Sequence, residues 1–78
     1  MIIKILGSGC QNCVTLGENT ATALKELRKD VEIIKITNKS TIQEYGVKST
    51  PALVIDEKVV SAGKVLNPED IVKILAEY

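Results

Sequence analysis

The stretch Gly7-Ser8-Gly9-Cys10-Gln11-Asn12-Cys13 constrains this chain more than any other. An apolar, β-branched run over residues 2–6 leads into it, so a buried strand should empty into a glycine loop there. A helical pattern takes over from Cys10 and runs to Lys29. At 100° per residue, Cys13, Leu16, Gly17, Thr20, Leu24 and Leu27 share one face, and Thr15, Glu18, Asn19, Thr22, Lys25, Glu26 and Arg28 share the other. The CxxC pair therefore sits where a strand feeds a helix, with Cys13 on the inner side.

Position gives the two thiols different chemistry. Cys10, at the helix start, faces unpaired N–H groups and the positive end of the macrodipole, which favour a thiolate. Cys13, one turn further, should be covered. No carboxylate precedes Glu18, so nothing acidic in the first turn opposes the charge. An exposed thiolate that attacks and a covered thiol that resolves are what disulfide exchange requires. Two other readings stand beside this one. The cysteines could be small core residues, or they could hold a soft metal, an arsenical or a cluster. Structural zinc takes four Cys/His ligands, and with His 0 and Cys 2 such a site needs a second chain.

The rest of the chain supplies the frame. Residues 31–36 read as a second strand and 38–45 as a short helix that Gly46 stops in a left-handed conformation. Residues 52–55 and 58–61 read as strands of a tight hairpin about Asp56-Glu57. Asn67-Pro68-Glu69-Asp70 opens a last helix, with Ile71, Val72, Ile74, Leu75 and Tyr78 as its buried stripe. The order β-α-β-α-β-β-α predicts a four-stranded mixed sheet, its first two strands parallel across a right-handed crossover. At 78 residues the chain forms one domain spanning residues 1–78. With no Phe or Trp, Ile, Leu and Val must fill the core.

Composition narrows the function classes. Ten basic and ten acidic residues give a net charge of +0, and only two Tyr are present. That argues against nucleic acid, whose binders carry a basic stripe and stacking aromatics. No apolar run approaches a membrane span. The opening residues lack the marks of an export signal, so a cytoplasmic location is expected.

The second chemical feature is Ser49-Thr50-Pro51 running into residues 52–55. Proline commonly opens a strand, and only about 5–6% of X–Pro bonds in folded proteins are cis. Its place after a β-α-β-α segment that begins with CxxC changes the reading. With the closing helix, these features resemble the thioredoxin/glutaredoxin superfamily along essentially the whole chain, most of all its small prokaryotic redox-active disulfide proteins. The resemblance implies a thioredoxin-like, glutaredoxin-sized α/β fold and a thiol–disulfide oxidoreductase needing no cofactor. By it, Cys10 is the nucleophile, Cys13 the resolving thiol, and Pro51 a cis-proline against the disulfide. Thr50 then offers its backbone to an extended substrate strand. The implied partners are a protein disulfide and a reductase, and a monomer is expected. The sequence departs from thioredoxins at Gly9 (Trp there), at Gln11-Asn12 (Gly-Pro) and at Lys4 (a buried acid). Residues 61–65 do not reproduce the glutathione-binding stretch of glutaredoxins. Lys4 reads as an edge or snorkelling side chain, Glu18 and Asn19 as solvated, and Tyr45 as packing at the end of the short helix.

Overall fold

The computed structural model describes residues 1–9 and 11–78. Among them the order is β1 (Ile3–Leu6), α1 (Gln11–Glu26), β2 (Ile33–Ile36), α2 (Lys39–Glu44), β3 (Ala52–Ile55), β4 (Lys58–Ala62) and α3 (Pro68–Leu75). The strands form one mixed sheet in the order β2-β1-β3-β4. β1 pairs parallel with β2 and antiparallel with β3, and β4 returns antiparallel to β3. The two central strands are the most buried, as strands covered on both faces must be.

Alternation along β1 and β3 splits the core in two. Ile3, Ile5, Leu53 and Ile55 face α1 and α3, where Leu16, Ala23, Leu24, Ile71 and Leu75 meet them. Leu6, Ala52 and Val54 face the other way, onto Ile42 of α2. Thr20, wholly buried on α1, donates its hydroxyl to the Leu16 carbonyl at 2.8 Å, so its burial leaves no polar group unsatisfied.

The helix ends follow local chemistry. Asn38 caps α2, its side chain accepting from the N–H groups of Ser40 and Thr41. Asn67 caps α3 by accepting from Asp70 N–H at 2.8 Å, with Pro68 in the first position. Gly46, at φ +75°, turns the chain out of α2. α1 stops earlier than its apolar pattern predicts. Arg28 takes φ 54°, and the N–H groups of Lys29 and Arg28 bond back to the carbonyls of Leu24 and Lys25. That is a Schellman closure with arginine in the place glycine usually fills. Two side chains also depart from expectation. Tyr78 lies beyond α3 and is 44% exposed, not part of a buried stripe. Asn19 is half-buried and donates to the Leu66 carbonyl at 2.9 Å, tying α1 to the loop before α3.

Candidate redox site at the end of the sheet

Register brings Ile36, Leu6, Ala52 and Ala62 into one row across the sheet. The residues just past that row, Thr37, Gly7, Pro51 and Gly63, therefore form its rim. Gly7 closes β1 against β2 by donating to the Ile36 carbonyl at 2.9 Å. Gly9 follows at φ +86°, and α1 then starts at Gln11. Cys10, the expected nucleophile, lies outside the described residues.

Cys13 points inward from the first turn of α1 and is 6% exposed. Its covering is backbone: a Cβ built on Gly7 would overlap Cys13 Sγ and lie 3.2 Å from Cys13 Cβ. The same Cβ would sit 3.8 Å from Thr50 Cβ. Gly7 is thus the spacer between the Cys13 side chain and the Thr50–Pro51 loop, and two of the expected site elements meet across it. Sequence reasoning gave Gly7 no role of its own beyond the loop. The signal was present in a glycine directly after the strand, but what it must clear is set by Thr50, far along the chain.

The Thr50–Pro51 peptide bond is cis. Pro51 is buried and Thr50 exposed. A second glycine fixes this loop: Gly63, at φ +72°, donates to the Pro51 carbonyl at 2.9 Å, and a Cβ there would come within 2.9 Å of Ser49 Cβ. Among the described residues no backbone hydrogen bond engages Thr50. Its N–H and C=O stand at the rim, where an added strand could reach them.

A cavity of about 60 Å³ lies beside Cys13, lined by Ile5, Gly7, Gly9, Val14, Lys35 and Thr37 as well. The polar side chains there are Lys35 and Thr37, and no carboxylate joins them. Lys4 is not near this cavity. It projects from the opposite face of β1, half-buried, and its Nζ donates to the Tyr45 hydroxyl at 2.8 Å and to the Glu57 carboxylate. It also lies 5.5 Å from the centre of the Tyr45 ring. That pairing holds Lys4 above its ordinary range and Glu57 below its own, each chiefly through the hydrogen bond to the other. Lys4 sits on a central strand, not an edge, and the sheet separates it from the thiol. Among the described residues no three potential metal ligands converge.

Residues 1–76 match the family described as Thioredoxin domain. The chain belongs to that family. It is 41% identical over 76 residues to a thioredoxin of Methanothermobacter thermautotrophicus, covering 97% of this chain and 99% of that one. A thioredoxin of Methanocaldococcus jannaschii is 37% identical over 78 residues, with 100% and 90% covered. Among solved structures, a thioredoxin-2 described as a component of the malaria parasite protein secretion machinery superposes with a TM-score of 0.70, covering 99% of this chain and 84% of that one. A malarial protein superposes at 0.66, covering 99% and 97%. Both are 17% identical and speak for the fold alone. The thioredoxin-like α/β fold expected from the sequence is the one observed, and thiol–disulfide oxidoreduction is the family's chemistry.

Proposed function

We propose that the chain exchanges its Cys10–Cys13 dithiol with the disulfide of a partner protein, Cys10 attacking and Cys13 resolving. One observation carries the reading: buried Cys13 meets the rim loop of Thr50 and Pro51 across the bare backbone of Gly7. A partner strand laid along Thr50 would bring its disulfide over the start of α1. The Cys10 thiolate bonds to one partner sulfur and the other leaves as a thiolate that takes up a proton. Cys13, deprotonated, then displaces the first sulfur, closing a Cys10–Cys13 disulfide and freeing a partner dithiol. Two electrons and two protons pass to the partner, and a reductase must return them. On this reading the protein works as a single-domain monomer in the cytoplasm, where reducing systems keep thiols available.

The resolving step is the test. Cys13→Ser leaves Cys10 able to attack with no intramolecular exit, so reductant-sensitive protein adducts should accumulate on non-reducing gels after incubation with native cytosol. Cys10→Ser should gather few or none. Equal absence of adducts counts against exchange, and equal abundance overturns the assigned roles. A soft-metal role predicts that both variants lose metal alike and that neither traps a protein.

A further inference from the structure

Beside the Thr50 loop lies a second hollow, of about 230 Å³, open along the rim of the sheet. Ser8, Thr37 and Thr50 supply hydroxyls, Ile42 an apolar wall, and Lys39 and Lys48 the charge. No Asp or Glu lines it. The bias extends past the hollow. The described segments that reach this end of the sheet, residues 5–9, 11–13, 35–43, 46–53 and 61–67, contain Lys35, Lys39, Lys48 and Lys64 and no acid, while Glu44 lines a separate hollow with Tyr45 and Glu57. The opposite end mixes its charges, with Glu32 before β2, Asp56 and Glu57 in the β3–β4 turn, and Lys58 and Lys4 beside them. Among the described residues the ion pair is Lys4–Glu57, so no carboxylate neutralises Lys39 or Lys48. A chain of net charge +0 thus presents a cationic redox end.

We infer that the partner segment docking at this site is acidic, with carboxylates beside its disulfide that lie over Lys39 and Lys48. The inference rests on the exchange reading above and adds the partner's chemistry to it. Unpaired lysines around a concave, partly apolar hollow attract and orient an anionic segment before any covalent step, which raises the encounter rate and sets the side from which the disulfide arrives. The hydroxyls of Ser8, Thr37 and Thr50 can donate to the same carboxylates once they are seated.

The test uses three synthetic peptide disulfides with one core sequence, flanked by Asp, Ser or Lys. The full chain is first reduced, freed of reductant, and mixed with each peptide. Two electrons and two protons then pass to the peptide as the Cys10–Cys13 disulfide closes. At low salt the Asp-flanked peptide should be reduced roughly five-fold or more faster than the Lys-flanked one. The Ser-flanked peptide should fall between them, and all three rates should converge near 0.5 M salt, roughly where screening shortens to a few ångströms. Lys39→Glu with Lys48→Glu should invert the order. Lys25→Glu with Lys73→Glu makes the same change in net charge away from the hollow and should keep the acidic peptide first. Equal rates for the three peptides, or inversion by the Lys25/Lys73 pair as well, overturn the inference while leaving exchange intact. Failure to reduce any peptide overturns the exchange reading, and this one with it.

Discussion

A single methyl group separates the two glycines that frame the start of α1. At Gly7 the added carbon would overlap Cys13 Sγ, and the Gly7 N–H is committed to the Ile36 carbonyl, so the first turn of α1 must lift. At Gly9 nothing lies within 4 Å, and the cost is the backbone's φ of +86° alone. Over-packing costs about 1–3 kcal/mol, and a left-handed residue with a Cβ about 1–2 kcal/mol. Stability therefore does not tell the two variants apart, but the thiol does. In a Cys10→Ser background, Gly7→Ala should expose Cys13 and speed its labelling by a thiol reagent several-fold, while Gly9→Ala should leave the labelling rate near its starting value. Equal rates in both would remove Gly7 from the site. At this scale the sequence was legible in the inward placement of Cys13, which helical spacing gives, and in the cis Thr50–Pro51 bond, which the family resemblance implies. It was silent at Gly7 and Gly63, whose need for a bare Cα comes from side chains brought in by distant segments.

Elements are joined at the far end of the sheet by a turn that ought to be costly. Asp56 and Glu57 both take positive φ, 49° and 67°, as a type I′ hairpin turn requires, in positions glycine or asparagine would fill more easily. Their side chains explain the choice. The Asp56 carboxylate accepts from Ile2 N–H at 2.9 Å while its own N–H returns to the Ile2 carbonyl. Glu57 reaches Lys4 on β1 and Tyr45 at the end of α2. The turn thus fastens β1, α2 and the hairpin together. Glu57 is held below the ordinary glutamate value of 4.5, so what it adds to stability is complete above that value and is lost as pH falls through its lower folded value. Glu57→Gln should lower the urea midpoint at pH 7, and the gap to the parent should close as pH falls below 4.5 and the carboxylate takes up its proton. A gap that persists in acid, once the carboxylate is protonated, would mean that the side chain acts through shape, not charge. Element order and capping were readable because Asn38, Gly46, Asn67 and Pro68 act locally. The end of α1 was not, because Arg28 is an uncommon residue for a left-handed closure, and neither was Asn19, whose partner is the Leu66 carbonyl.

Taken as a whole molecule, the protein stabilises a 78-residue chain on aliphatic packing with no Phe or Trp. Domains of this size hold together by roughly 0.05–0.15 kcal/mol per residue, about 4–12 kcal/mol in all. Against that, one large cavity matters. The two halves of the core are unequal: the α1/α3 side holds nine buried residues and the α2 side four. Leu16 is wholly buried on the larger side and sits one turn beyond Cys13, on the same face of α1. Leu16→Ala should cost about 2–5 kcal/mol, a large part of the total. Val47, half-buried at the edge of the smaller side, should cost about 1 kcal/mol when cut to Ala. The two-sidedness itself was visible in the strand patterns, but their ranking was not, since it depends on α3 packing beside α1 over one face while the short α2 covers the other. Urea unfolding of both variants, followed by circular dichroism, measures the difference. The Leu16 variant should lose midpoint at an unchanged slope, which marks lost packing within a still cooperative fold. It should also label Cys13 faster at urea concentrations well below its midpoint, because the helix turn that shields the thiol rests on Leu16. A Leu16→Ala midpoint no lower than that of Val47→Ala would place the main core on the other side of the sheet, and with it the support of the redox site.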